Sequence, residues 1–351
     1  ITSILIFFYF NIIEKKFFYY KNIIFIILIF WYLFLLSLSL MSENIFLSLE
    51  STLFYFRFIF LSLAIWHCIN NDYQFHNKLL FVLSIMLIVL IIDSCFQYLF
   101  GFNLIGFNYE SVRLSSFFGE EKKLGSFMSR ILPLFMLCIM TLKNEKEKTS
   151  NKMIFFFSSI VIFLTGERSA LLIFVIFFIL YFITSPNFRK FSKIPLIFTL
   201  IIAPFLLFFN YGLLTRLVLD PIKNINKILS DGVLLSNQHD PIFRTGLNIF
   251  YDNIFLGTGP KMFRFYCNHP EYYPEGGCTS HPHNTYIQLL AETGIIGFSI
   301  IFILFVYITI QILILFIKKI KRFSIENYDY KLILLISMFT TLFPFLPTGN
   351  F

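Results

Sequence analysis

The sequence predicts an all-α polytopic membrane protein of about ten transmembrane helices with one large external loop. Three observations carry that expectation. The 351 residues are 57% hydrophobic and 20% aromatic with only 14% charged, and the mean hydropathy is +0.77, a balance far from that of soluble domains. Apolar runs of roughly 20 residues, long enough to cross a bilayer as helices, recur along the whole length. The net charge is +8, but the Lys and Arg collect in short blocks between apolar runs, a pattern that reports membrane topology rather than nucleic-acid binding.

In chain order, Ile1–Ile13 reads as the tail of a first span and the chain stops at Phe351 just after another apolar run, so both ends look truncated. Glu14-Lys15-Lys16 and Lys21 form a basic block placed in the cytoplasm. Asn22–Leu40 returns outward, Met41–Asn44 turns outside, and Ile45–Trp66 comes back to a weakly basic link, His67–Lys78. Leu79–Phe100 exits to the external loop Gly101–Gly125. Ser126–Leu142 re-enters and meets the charged linker Lys143–Lys152. Met153–Leu164 goes out, and Ser169–Thr184 returns to Arg189, Lys190 and Lys193. Ile194–Tyr211 exits to the long external loop Gly212–Asn284. Tyr286–Ile317 carries the chain back to Lys318–Arg322, the strongest basic block, and Lys331–Pro347 leaves once more. Every strongly basic block falls on one side under this threading. It divides the chain into transmembrane helices over 1–211, a loop domain over 212–284 and C-terminal transmembrane helices over 285–351.

The densest polar chemistry lies where the long loop becomes a helix, at His281-Pro282-His283-Asn284. Thr285 with Gln288 fits a capping box, which starts the helix just after the histidines. Thr285, Gln288, Glu292 and Ser299 give that apolar helix one polar stripe. Gly294 and Gly297 add a small face suited to close helix packing. The same residues also fit ordinary loop histidines beside a stripe that only joins helices.

Other candidates are scattered. Thr165-Gly166-Glu167-Arg168-Ser169 joins two apolar segments, the first about a dozen residues or roughly 18 Å of helix, so the turn sits below the outer surface. Arg168 is then a sunken cation suited to an anion, or an interfacial arginine paired with Glu167. Arg57 and Asp93 lie inside spans and read as a structural pair. Asp240-Pro241 resembles a helix start, with Ile242, Phe243, Leu247, Phe250 and Tyr251 on an apolar face. Arg244 and Asn248 fall on another face, where the arginine suits a phosphate or plain solvent. Leu256-Gly257-Thr258-Gly259-Pro260 is a turn, weak as a phosphate loop because it lacks the strand and lysine of that motif. Of five cysteines, Cys267 and Cys278 bracket a short segment and are placed to bridge in an oxidising compartment. A zinc site with His269 or His281 is the alternative, at a spacing that matches no usual pattern.

These blocks together resemble the bacterial O-antigen ligase and O-antigen polymerase superfamily of polytopic glycosyltransferases. The specific part is His281-Pro282-His283-Asn284 with Leu289-Leu290-Ala291-Glu292-Thr293-Gly294-Ile295-Ile296-Gly297. Gly166-Glu167-Arg168-Ser169, Arg113–Gly119, Arg244–Gly259 and the terminal Leu346–Phe351 support it, while Phe255 departs where proline is expected. The resemblance implies transfer of a glycan from an undecaprenyl-diphosphate donor to a hydroxyl acceptor such as a lipid A-core sugar. It places the reaction at the periplasmic face of the bacterial inner membrane, with inversion and with neither metal nor cofactor. His283 and Arg168 are the catalytic candidates, as general base and diphosphate stabiliser. Arg113, Arg244, His281, Asn284, Gln288 and Glu292 are the substrate-binding candidates. Ligase, polymerase and protein O-oligosaccharyltransferase share this layout. A lipid-linked glycan transporter would instead line a path across the membrane with paired charges, and a scaffold would tolerate replacement of the His and Arg positions.

Overall fold

The computed structural model describes residues 17–109, 112–142, 144–223, 225, 239–272, 276–321, 323, 325 and 327–346. It is 77% helix with no strands among the described residues. The chain divides into two compact units, residues 1–75, 227–303 and 347–351, and residues 76–226 and 304–346.

In the first unit, α1 (Ile23–Met41) is followed by α2 (Ile45–Thr52) and α3 (Phe56–Asn71). Asn22 and Asn44 cap α1 and α2 by accepting from the N–H groups of Ile24 and Leu47, meeting donors a helix start leaves orphaned. Ser39, Ser48 and Thr52 form a fully buried hydroxyl cluster between α1 and α2 at 2.8–2.9 Å, the small polar contact that joins helices where lipid removes the hydrophobic drive. The outer face of α1 keeps Ile24, Ile27 and Phe30 at 63%, 54% and 66% exposure, a surface made for hydrocarbon. The loop part contributes α10 (Asp240–Asp252) and the short α11 (Phe263–Tyr266).

The second unit is built on α4 (Phe75–Phe100), α5 (Leu124–Thr141), α6 (Glu145–Leu164), α7 (Arg168–Thr184) and α8 (Pro186–Phe209). After α9 (Tyr211–Leu214) the helix continues to Lys223, and Tyr211–Lys223 is bent 111° from Ile201–Phe209. The segment read from the sequence as the start of the long external loop, from Gly212, therefore opens with helix. The last helix is α13 (Tyr328–Thr341). Met128, Leu132 and Phe135 of α5 pack with Phe155 and Ile162 of α6, Phe177 of α7, and Leu332 and Ile336 of α13, all buried.

Five helices are long and apolar enough to cross a membrane among the described residues, or six if the bent pair is one span. At 17 and 14 residues, α7 and α13 are shorter than the roughly 20 residues of a full span, and the expected span Ile1–Ile13 lies outside the described residues. Two polar residues inside α4 have a structural explanation. Asp93 accepts from Leu104 N at 2.9 Å and Asn103 Nδ2 at 3.3 Å and binds the Ser116 hydroxyl. Gln97 Oε1 accepts from Ser115 N and Ser116 N. Buried polar groups of a spanning helix thus hold the loop that carries Arg113. The suggested Arg57–Asp93 pair gives way to this arrangement, and Arg57 lies over the Phe58 ring, 4.8 Å from its centroid.

The spanning helix α12 (Thr285–Ile320) supplies 285–303 to the first unit and 304–320 to the second, and it is broken at Gly294, where φ is +61° and ψ −167°. The break leaves backbone groups without helical partners, and the turn at 254–259 satisfies them. Thr258 N donates to Ala291 O at 3.0 Å and Gly259 N to Glu292 O at 2.9 Å, while Ile254 O accepts from Ile295 N at 2.7 Å. The two backbones touch: a Cβ on Gly294 would lie 2.3 Å from Phe255 O, and one on Gly257 2.4 Å from Glu292 C. Gly294 is therefore the point of a clasp, not part of a packing face, and the N–H groups of Thr258 and Gly259 serve the helix rather than a phosphate. Alanine at either glycine is expected to lower stability by about 1–3 kcal/mol through overpacking, with added strain from the positive φ. Thermal unfolding of the detergent-purified variants measures this, and wild-type melting of both would refute the clasp.

Candidate active site

In the first unit three histidines gather at the start of α12. The rings of His281 and His283 are 4.2 Å apart between centroids, and His239, the residue before α10, is 5.6 Å from His283. Neither ring nitrogen of His283 makes a hydrogen bond among the described residues. His281 Nδ1 is 2.9 Å from Ser280 Oγ, and its carbonyl accepts from Thr279 Oγ1, so its ring is held from behind. His283 has φ +56°, a left-handed conformation that non-glycine residues adopt sparingly and that marks functional loops. Burial lowers its imidazole below the ordinary 6.5, because the charged form loses hydration. Burial lowers His239 too, with the charge of His283 adding to it. His239 was not singled out from the sequence, since nothing in its local pattern brings it to His283 across a stretch of more than forty residues.

Asn284 caps α12, its Oδ1 accepting from Tyr286 N at 2.9 Å and Ile287 N at 3.1 Å. The capping box expected of Thr285 and Gln288 is thus displaced by one residue, because an asparagine side chain is short enough to reach these donors. Gln288 Nε2 instead donates to Glu292 Oε2 at 3.1 Å, and Glu292 Oε1 accepts from Phe263 N at 3.2 Å. With exposures of 2% and 1%, Gln288 and Glu292 are tied to the loop rather than turned to an open surface.

Arg244 is on the exposed face of α10, and its Nε donates to Asp240 Oδ2 at 2.7 Å. Asp240 is the first helical residue and Pro241 the second, one place later than expected. Of the apolar face read from the sequence, Ile242 and Phe243 are buried while Tyr251 is 65% exposed, and Ile249 takes the interior position. Cys267 and Cys278 are joined by a disulfide with Cα atoms 4.9 Å apart. Cys267 packs with Ile249, Phe263 and Tyr272, so the bridge fastens the segment ahead of the histidines to α10 and α11. No group of three His, Cys, Asp or Glu among the described residues is arranged to hold a metal ion.

In the second unit the turn Thr165–Ser169 organises a cluster of arginines. Glu167 does not pair with Arg168. Its carboxylate accepts from Gly125 N at 2.8 Å, Ser126 N at 3.1 Å and Ser126 Oγ at 2.8 Å, capping α5 where the helix dipole favours an anion. Arg168 turns the other way: its Nε donates to Arg216 O at 2.8 Å and its Nη2 to Asp220 Oδ2 at 2.7 Å. Arg216 Nε returns a bond to Gly166 O at 2.8 Å. Arg113, held by Lys122 O at 2.8 Å, and Arg168 both act electrostatically on Arg216. Three guanidinium groups against Asp220 and Glu167 leave an excess of positive charge, and Arg168 is still 41% exposed. Arg216 and Asp220 were missed because they fell inside what the sequence showed as the start of a loop. Their i, i+4 spacing directly after an apolar run was the available signal.

The fold and these residues define a multi-pass helical membrane protein that collects histidines and arginines at helix termini next to loops. A family model described as O-antigen ligase matches residues 153–302, so that segment of the chain is similar to the O-antigen ligase family. No curated protein and no solved structure matches the chain. The matched segment includes Arg168, Arg216, Arg244, His239, His281 and His283 and stops short of Arg113. That similarity points to a glycosyltransferase-like enzyme of the membrane.

Proposed function

We propose that the protein is an O-antigen ligase-type transferase that moves a glycan from undecaprenyl diphosphate to a hydroxyl acceptor, a lipid A-core sugar, at the periplasmic face of the inner membrane. The observation that carries the reading is His283, a half-buried imidazole with no ring hydrogen bond among the described residues, set beside two more histidines at the mouth of α12. In the reaction His283 takes the acceptor O–H proton as that oxygen bonds to the anomeric carbon. The bond from that carbon to the phosphate oxygen breaks on the opposite side, and undecaprenyl diphosphate leaves with the electron pair. One displacement inverts the anomeric centre. Arg168, with Arg216 and Arg113, offsets the charge developing on the diphosphate, and the reaction as drawn uses no metal and no cofactor. His281 and Arg244 bind substrate, while Asn284, Gln288 and Glu292 contribute by fixing the loop and helix that carry the histidines. The Cys267–Cys278 bridge fits an oxidising periplasm. O-antigen polymerase and protein O-oligosaccharyltransferase activities use the same steps and differ in acceptor.

The test is transfer by the purified protein from an undecaprenyl-diphosphate glycan to lipid A-core, resolved on a gel. Product with lipid A-core alone supports the ligase reading. Product only with a second donor molecule or with a protein assigns one of the other two, and no product with any acceptor refutes transfer.

Sidedness is tested separately. In a background with Cys68, Cys95 and Cys138 replaced by serine, an impermeant thiol reagent on intact spheroplasts should label Tyr251→Cys and leave Lys321→Cys unlabelled until the membrane is opened. The reverse pattern would invert the ten-span threading and move the long loop to the cytoplasm.

A further inference from the structure

At the opposite end of the second unit's helices from Arg168, α5 and α12 finish and α6, α8 and α13 begin. A cavity of about 800 Å³ opens among these termini, a size that suits a small ligand or a headgroup. By the length of α6, 20 residues, it lies roughly 30 Å from the arginine cluster, so it is a separate site. Its cations come from two elements: Lys148 and Lys152, one turn apart on α6, and Lys319 at the end of α12.

The two acidic residues of the lining, Glu145 and Asp329, offset only part of this charge and leave the lining net positive. Glu145 meets Lys148 at 3.4 Å, but its own side chain is 75% exposed while that of Lys148 is 23% exposed, so the carboxylate is in solvent and the sheltered charge is the ammonium. Asp329 is bound by the Ser185 hydroxyl and by Asn187 Nδ2. Lys319 Nζ is 5.0 Å from the centre of the Tyr328 ring, a cation–π contact that positions its charge without neutralising it. Met140 and Ile325 give the lining an apolar part. The basic blocks Lys146–Lys152 and Lys318–Lys321 flank the same helix ends, and basic blocks beside spanning helices are the usual neighbours of anionic headgroups.

Ammonium groups converging from two helices are point charges suited to phosphate, and basic pockets between spanning helices hold anionic headgroups. We propose that this cavity is a binding site for the phosphate of an anionic phospholipid, with Lys148, Lys152 and Lys319 as its counter-charges. The site is independent of the transfer reaction proposed above.

The test uses the full chain in detergent, with phosphatidylglycerol, phosphatidylcholine and inorganic phosphate as separate probes. Retained lipid is read by native mass spectrometry and stability by thermal unfolding. Phosphatidylglycerol is expected to bind saturably and raise the unfolding temperature, phosphatidylcholine to do neither, and the effect to weaken as salt rises. The triple variant Lys148→Gln, Lys152→Gln, Lys319→Gln should lose at least about tenfold in phosphatidylglycerol affinity, about 1.4 kcal/mol, and the triple Arg variant should keep it. Unchanged binding in the Gln variant, or equal binding of phosphatidylcholine, overturns the proposal. Equal protection by inorganic phosphate overturns the lipid assignment and leaves a soluble-phosphate site. Should the Gln variant not fold, the single variant Lys152→Gln and the salt dependence of the unaltered protein decide, and binding indifferent to both rejects the site.

Discussion

His283→Ala lowers glycan transfer by about 10²–10⁴-fold, the usual contribution of a positioned general base, while the protein still assembles in the membrane. The imidazole is half-buried at the loop end of α12, and neither ring nitrogen is engaged by a hydrogen bond among the described residues. His281→Ala should cost less, because its ring is held by Ser280 and serves substrate binding rather than proton transfer. The two variants are compared by transfer rate at matched expression. Near-normal transfer by His283→Ala with loss in His281→Ala would exchange the two roles, and normal transfer in both would remove the histidines from the chemistry. The pH profile gives a second check. Burial favours neutral His283, so the base form is present above its folded-state pKa and is lost as pH falls through it. The acid limb of kcat/KM should therefore have its midpoint below 6.5, the ordinary imidazole value, and a midpoint above 7 would contradict the assignment. The same shift means that acidification below 6.5 withdraws stability, since the unfolded chain takes up the proton more readily than the folded one.

Arg168→Ala should lower transfer by about 10²–10³-fold, the scale seen when a donor aimed at developing charge is removed. Its guanidinium is fixed by Arg216 O and Asp220 Oδ2 and remains partly open, so it is oriented before a diphosphate arrives. Arg168→Lys keeps a charge but cannot make the two directed bonds from one planar group, and should recover only part of the activity. Asp220→Asn removes the anion that competes with a diphosphate for Arg168, so a larger effect on KM than on kcat is expected there. Full transfer by Arg168→Ala with normal melting would exclude the arginine from the reaction.

The class of fold was legible because membrane helices announce themselves by length and apolarity, and the charged linkers between them are short. Helix boundaries were read less well where polar residues belong to helices. Glu145–Lys152 looked like a linker and forms the first turns of α6, and Tyr211–Lys223 looked like loop and is helix after a sharp bend. Candidate residues close in sequence, such as His281 and His283, were recognisable from their motif. Partnerships between distant segments were not: Glu167 with the start of α5, Arg168 with Asp220, and His239 with His283 depend on tertiary packing that no local pattern encodes. Gly294 illustrates the limit best, since a glycine in an apolar helix reads as a packing face and only the approach of residues 254–259 makes it a break.

That break also imposes an order on biosynthesis. As one straight helix, the 36 residues of α12 would measure roughly 54 Å, well beyond the hydrocarbon thickness of about 30 Å. In lipid an interrupted helix is tolerated only where other protein groups satisfy the freed backbone. Residues 254–259 leave the ribosome before 291–296, so the segment that completes the interrupted backbone is already available when the helix emerges. A chain in which that loop were moved downstream of α12 would insert the helix first without those partners, and its nascent form would have to stay straight until the loop arrived.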